Sequence, residues 1–245
     1  AWLTDVPDVA LKPEKMLDVE FGYSFQSEKV GASVNVYLME YWDMLLETGK
    51  LSNVGYAIKE NVDRGWRRGL ELCASYEPLK WLRADANITL SSNKIRDYKE
   101  YVQNVDTYDN WAMTGRTTMY EYGNSTMLMS PSVTGMMKLT FIPWKKAAVS
   151  IDGKYVGMQY LDNTMTLSRS IPSYFVSNLS VSHTFDLNRG SLGLALYVNN
   201  LFNNMYYADG WCWKNIIEED GALVDGIGIY PQAPVNYMLK ASYRF

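Results

Sequence analysis

Val235-Asn236-Tyr237-Met238-Leu239-Lys240-Ala241-Ser242-Tyr243-Arg244-Phe245 is the stretch that decides the fold. Val235, Tyr237, Leu239, Ala241, Tyr243 and Phe245 fall on one side of an extended chain. Asn236, Lys240, Ser242 and Arg244 fall on the other, with Met238 as its apolar member. A period of two over about ten residues is a β-strand with one apolar and one wet face. Termini of soluble domains fray in water, so an aromatic last residue asks for an apolar neighbour. A membrane–water interface at the rim of a barrel supplies one. The closing strand of a soluble β-sandwich carries the same alternation, so this stretch alone leaves both architectures open.

The same pattern recurs along the chain. Leu17, Val19, Phe21, Tyr23 and Phe25 alternate with Asp18, Glu20, Gly22, Ser24 and Gln26, and Ser27-Glu28-Lys29 turns into a second alternating run, Val30 to Leu38. Trp66 to Tyr76 and Leu82 to Leu90 flank the turn Glu77-Pro78-Leu79-Lys80. Val133 to Phe141 and Ala147 to Tyr155 flank Pro143-Trp144-Lys145. Phe175 to Phe185 and Leu192 to Val198 flank Asp186 to Gly190. With the closing stretch, nine strands are predicted. Between these pairs lie long connections at Asp43 to Val62, Asn93 to Met129, Leu161 to Ser170 and Phe202 to Pro231, and Ala1 to Pro13 reads as a loop. Short and long connections alternate strictly. All short turns then lie on one side and all long loops on the other, the asymmetry of an outer-membrane barrel with a periplasmic C-terminus.

Composition sets the outer bounds. The 245 residues carry a net charge of −4, which gives no electrostatic support to nucleic-acid binding. No apolar run approaches the roughly 20 residues of a membrane-spanning helix. Tyr (19) and Trp (8) outnumber Phe (7), and both suit interfaces where one end is apolar and the other wet. Phe25, Tyr76, Trp81, Phe141, Trp144, Phe185 and Phe245 collect at the short-turn ends, as a periplasmic aromatic girdle would, and Trp42, Trp66, Tyr155 and Phe175 mark a second level. Charges such as Glu71, Arg83, Asp85, Lys138, Asp152 and Lys240 recur on the opposite face, which suits a hydrated or plugged lumen better than a sandwich core. Arg68, beside Trp66, breaks the apolar face near its upper end, within reach of lipopolysaccharide phosphate or of water. Cys73 falls in mid-strand and Cys212 in a distant connection, so free thiols are expected.

Asn200-Leu201-Phe202-Asn203 followed by Tyr206 lies directly after the penultimate strand. Together with Leu11-Lys12-Pro13-Glu14-Lys15 before the first strand, Tyr230-Pro231-Gln232-Ala233-Pro234 before the last, and the ending Tyr243-Arg244-Phe245, it resembles the TonB-dependent outer-membrane receptors. The resemblance implies an all-β, antiparallel transmembrane barrel of 22 strands filled by an N-terminal plug. Residues 1–245 then form the C-terminal portion of that one barrel domain, about nine strands, without the plug. It further implies active import of a scarce solute of the ferric siderophore, haem or cobalamin class across the bacterial outer membrane. Oligosaccharide or peptide import with a surface lipoprotein is the alternative; a passive pore or adhesin, or a soluble sugar-binding sandwich, belongs to another class. Implied partners are the TonB complex through the N-terminal part, outer-membrane lipid and lipopolysaccharide, and the imported solute.

No catalytic constellation, phosphate loop or metal-ligand spacing stands out, and no cofactor is implied. His183, the only histidine, falls with the outward residues near a short turn. Ligand contacts are expected in the long loops, at Tyr108, Trp111, Tyr120 and Tyr122 in one and at Trp211 and Trp213 in the last, because loop aromatics on a rigid barrel make ligand surfaces. The same aromatics also serve to pack loops over a barrel mouth.

Overall fold

The structure is a computed structural model that describes residues 11–51 and 56–245; most of the opening loop, residues 1–10, lies outside them. In chain order its strands are β1 (Lys15–Gln26), β2 (Val30–Leu51), β3 (Ala57–Leu79), β4 (Leu82–Arg96), β5 (Lys99–Asp106), β6 (Ala112–Glu121), β7 (Ser125–Thr126), β8 (Val133–Phe141), β9 (Ala147–Val156), β10 (Gln159–Tyr160), β11 (Ser170–Ile171), β12 (Tyr174–Leu187), β13 (Gly190–Asn199), β14 (Tyr207–Ile217), β15 (Leu223–Pro231) and β16 (Asn236–Arg244). A single 3-10 turn, Leu167–Arg169, is the helical element among the described residues.

The wall is an antiparallel sheet in the order β1-β2-β3-β4-β8-β9-β12-β13-β16, with β7 added beside β4. Its nine through-strands are the nine that alternation predicts. Register explains why. Val36 lies between Phe21 and Leu70, and Leu139 between Ala84 and Ile151, so apolar residues meet on one face strand after strand. On the other face Asp85 neighbours Lys138, Lys138 neighbours Asp152, and Asn178 Nδ2 donates to Asp152 Oδ2 at 2.8 Å. A one-residue slip would exchange the two faces along a whole strand, so the pattern fixes the register.

The apolar band has a measurable height. On β3 ten residues separate Tyr76 from Trp66, roughly 33 Å of strand, or about 25 Å at a tilt near 40°. That is the height of a barrel's lipid-facing band. Near its upper end, Arg68 Nε donates to Glu40 Oε1 at 3.0 Å, and the guanidinium sits 5.1 Å from the Trp66 ring centre. The apolar face therefore carries a second charge at this level, and the two neutralise each other.

The long connections differ from their expected form. Asp43 to Val62 is not a loop, because β2 and β3 continue as paired strands to Leu51 and from Ala57. Alternation breaks at Asp43, whose positive φ of 53° interrupts the ladder, and this break hides the continuation from a reading of period. Beyond it Met44 pairs with Val62. Both pack with Ile95, Tyr98 and Met127 into a small core above the band. Asn93 to Met129 contains the end of β4 and all of β5, β6 and β7, while Phe202 to Pro231 contains β14 and β15. Leu161 to Ser170 is pinned at its base by the β10–β11 pair. Cys212 thus lies in a strand, and both cysteines are free thiols.

Candidate functional site

The long connections build a second sheet, ordered β15-β14-β5-β6. Its two hairpins come from distant parts of the chain and join through a short parallel pairing, Ile216 with Asn104 and Ile217 with Val105. Glu218 and Glu219 seal this joint. Asn104 Nδ2 donates to Glu218 Oε2 at 2.9 Å, and the Thr107 backbone N–H and hydroxyl donate to Glu219 Oε1 at 2.8 and 2.9 Å. β5 also leans on the extended β2: Tyr98 donates to the Glu47 carbonyl at 3.1 Å, and Gln103 Nε2 to that of Gly49 at 3.1 Å.

A buried ionic hub lies under one face of this sheet. Lys214 Nζ pairs with Asp162 Oδ2 at 2.7 Å and with Glu100. Arg169 Nε pairs with the same Asp162 oxygen at 2.7 Å, and its Nη1 with Asp225. Arg169 Nη2 also donates to Thr164 Oγ1 and Thr166 Oγ1, each at 2.9 Å. Thr164 returns its N–H, at 2.9 Å, and its hydroxyl, at 2.6 Å, to Asp162 Oδ1. Three carboxylates and two cations thus tie β5, β14, β15 and the 161–169 loop together. Buried charges persist only when paired and hydrogen-bonded, and these are.

Titration behaviour follows from the same contacts. Burial pushes the Asp162 carboxyl up, but hydrogen bonds and charge from Lys214 and Thr164 outweigh it and hold the group down at about 2. Burial, then the nearby Glu100 charge, pushes Tyr122 up to about 12, and the same two causes raise Tyr98. Burial, then Asp162, raises the Cys212 thiol. Asp162 is therefore held as a carboxylate. Burial lowers the Arg169 guanidinium, but its hydrogen bonds to Asp162 and Asp225 outweigh this and raise it.

The six loop aromatics do not converge on one point. Tyr108 stands at the β5–β6 tip, 90% exposed, and Trp111 beside it adopts a left-handed φ of 61°. A bulky side chain with positive φ is a genuine outlier. Tyr120 is half-buried opposite Glu100 in the β5–β6 register. Tyr122 is a structural residue: it donates to Glu100 Oε2 at 3.3 Å, and its ring centre is 6.1 Å from that of Tyr98. Trp211 and Trp213 share the exposed face of β14, away from Cys212 and Lys214.

The Asn-Leu-Phe-Asn motif is a clamp. Asn200, 2% exposed and at φ 51°, receives the Asn204 N–H on Oδ1 at 2.9 Å. Its Nδ2 donates to the carbonyls of Asn204 at 2.9 Å and Ala233 at 3.2 Å. The Leu201 N–H reaches the Ser177 carbonyl at 2.7 Å, Asn203 Oδ1 accepts the Val235 N–H at 3.0 Å, and the Tyr206 ring lies 4.8 Å from Tyr174. Phe202 stays exposed. The motif fixes where the chain leaves β13 for the loop sheet and returns to β16.

At the short-turn end, Trp81 meets Phe141 edge-on at 5.3 Å, and His183 lies between Trp144 and Phe185 at 6.1 and 4.3 Å. Phe25, Tyr76 and Phe245 are exposed at the same end. No group of three or more His, Cys, Asp or Glu residues that could hold a metal occurs among the described residues.

A one-faced antiparallel wall about 25 Å tall, with a charged inner face and folded loops on one rim, defines a transmembrane β-barrel segment. Its sequence matches the TonB dependent receptor-like β-barrel family over residues 3–201, and the chain belongs to that family of outer-membrane receptors. Solved structures agree on the fold. The unliganded ferric citrate transporter FecA superposes with a TM-score of 0.66 at 20% identity, over 95% of this chain and 32% of that one. The copper transporter OprC gives 0.66 at 18%, over 96% and 33%. The siderophore receptor PiuA from Acinetobacter baumannii gives 0.64 at 14%, over 93% and 28%. The chain thus spans 28% to 33% of the length of these proteins. No curated protein sequence matches it.

The hub is what sequence reasoning missed. Glu100, Asp162, Arg169, Lys214 and Asp225 come from separate connections, and no spacing unites them. The available signal was the Trp211-Cys212-Trp213-Lys214 alternation, which places Lys214 with the inward Cys212 and so marks a buried charge in need of a partner.

Proposed function

We propose that this chain is part of the barrel and the solute-facing loop layer of a receptor that actively imports a scarce solute. The observation that carries the reading is the loop sheet itself. Folded aromatic loops, locked by buried charge on the rim of a transmembrane wall, suit capture of a dilute solute better than an open pore does. The long-loop rim then faces the outside, and Phe245 and the short turns face the periplasm. Phe25, Tyr76, Trp81, Phe141, Trp144, Phe185 and Phe245 serve as the lower interfacial girdle. Open strand edges are untenable in lipid, so β1 and β16 pair with further strands of the receptor. Energy from the TonB complex, reaching a plug within the lumen, drives release.

Ferric siderophore, haem or cobalamin is the first solute class, supported by family membership and by relatives such as PiuA and FecA. Oligosaccharide or peptide import with a surface lipoprotein is the second, favoured by Trp211 and Trp213 on an exposed sheet face with no free cation in that sheet. Deleting the gene and measuring growth under iron limitation tests the first: a growth defect, its rescue by the receptor, and loss of that rescue when TonB is inactivated are expected. Unchanged iron-limited growth together with loss of oligosaccharide uptake moves the assignment to the second class. Solute uptake that persists without TonB refutes active import.

A further inference from the structure

The face of β14 that carries the tryptophans is shaped by the strand opposite. Trp211 is paired with Gly228, and Trp213 with Gly226. A Cβ added at Gly228 would lie 2.4 Å from the Trp211 indole, and one at Gly226 would lie 2.6 Å from that of Trp213. Only hydrogen fits, so each indole rests on a glycine and leaves its other side to water; the residues are 50% and 43% exposed. Residues i and i+2 of a strand stand about 6.8 Å apart on one face, so the rings form a short row. Asp209 and Tyr230, paired in register, continue the row at one end, and Asn215 continues it at the other. Behind it, Lys214 is anchored in the ionic hub, so the row is fixed before any ligand arrives.

Charge narrows what can bind. Residues 99–121 and 206–231 hold three Lys or Arg against nine Asp or Glu, a net charge of −6. All three cations are engaged: Lys99 with Glu121 at 2.9 Å, Arg116 with Glu218 at 2.7 Å, and Lys214 with Asp162 at 2.7 Å. An anionic ligand meets a repulsive field and no free partner in this sheet. The acidic field attracts an organic cation, but over an indole this exposed the ring itself adds only about two- to fivefold in affinity, against about thirtyfold or more in a desolvated site. An extended, uncharged ligand with flat faces fits. A pyranose ring presents weakly positive C–H groups on its face, which suit the negative face of an indole, and hydroxyls at its edge, which suit Asp209 and Asn215.

We infer that Trp211 and Trp213 form a stacking platform for the pyranose rings of an uncharged oligosaccharide. This deepens the second solute class above and concerns binding alone, so it is tested separately from import. The intact receptor, purified in detergent, is titrated with maltoheptaose, cellohexaose, laminarihexaose and xylohexaose, with benzyltrimethylammonium and purified lipopolysaccharide as comparison probes. At least one neutral oligosaccharide binds, Trp211→Ala and Trp213→Ala each weaken it tenfold or more, and Trp211→Phe weakens it less. Gly228→Val, which displaces the Trp211 ring and leaves the indole present, weakens it as much as Trp211→Ala. Unchanged amide protection of β15 in each variant shows that the sheet is intact. Failure of all four oligosaccharides to bind, equal binding by the alanine variants, or binding of only the ammonium or only lipopolysaccharide overturns the platform. TonB-dependent uptake that survives a negative titration leaves import standing while the platform falls; oligosaccharide binding without uptake does the reverse.

Discussion

Replacing Lys214 by Met removes one charge from the hub and keeps most of the side chain's volume. Lys214 is 13% exposed at its side chain, and its partners Asp162 and Glu100 are 12% and 5% exposed. The substitution leaves Arg169 as the single cation for three carboxylates. Removing one partner of a buried pair costs about 3–5 kcal/mol, because the other charge remains buried without compensation. Hydrogen exchange on the intact receptor in detergent reads this locally: β14 and β15 amides are expected to exchange about 10²–10⁴-fold faster at pH 7.5, with the wall strands unchanged. Two controls separate charge from packing. Glu100→Gln in the same background keeps an acceptor for Tyr122 while removing one unpaired charge, so it restores more than half the loss. Lowering the pH narrows the gap between the variant and the unaltered protein. Without Lys214, the carboxyl of Asp162 rises from about 2 towards its unfolded value, while Arg169 and Thr164 still bond it, so the variant has less stability to lose as pH falls. Acceleration below tenfold, or no rescue by Glu100→Gln, refutes the hub as the element that holds the layer.

The unaltered protein loses more in acid. Its Asp162 carboxyl sits at about 2, below the usual carboxylate value, so its contribution, about 2 kcal/mol, is complete above pH 4 and lost as pH falls through 2; β14 amide protection measured down that range checks it. Asn200→Ala removes a buried side chain that bonds three backbone groups, leaves them unpaired, and puts alanine at a positive φ. It should destabilise the β13–β16 junction by about 2–4 kcal/mol, with Asn200→Gly recovering only the backbone share, read as heat-dependent gel mobility. Cys212 should react with iodoacetamide at pH 7.5 at least ~10-fold more slowly than a free thiol, because burial and Asp162 disfavour its thiolate; mass spectrometry of the labelled peptide gives the rate.

The wall was legible because each strand reads one face to lipid and one to the lumen, and a period of two survives over nine of them. Glu40 escaped notice on the apolar face because its neutralising Arg68 lies on the next strand. The loop layer was illegible for a different reason. Its strands β5, β6, β14 and β15 bury polar side chains against one another, so alternation of hydrophobicity fades where alternation of burial persists. Trp211 and Trp213 were readable as exposed loop aromatics, yet the glycines that seat them are visible only once β15 is placed beside β14. Tyr122 had the same residue type and the same kind of connection as Tyr108, and only the Glu100 carboxylate beside it shows that it packs instead.

The joint between the two hairpins also has a consequence for assembly. Asn104 and Glu218, which bond across it, are 114 positions apart in the chain, and the strands between them belong mostly to the wall. Contacts of such separation repay their chain-closure entropy late. β8, β9, β12 and β13 are therefore expected to pair before β14 reaches its parallel partner. The joint can therefore report on biogenesis: its protection should appear only after the barrel has formed, which makes Asn104 and Glu218 markers of a finished molecule rather than of a folding one.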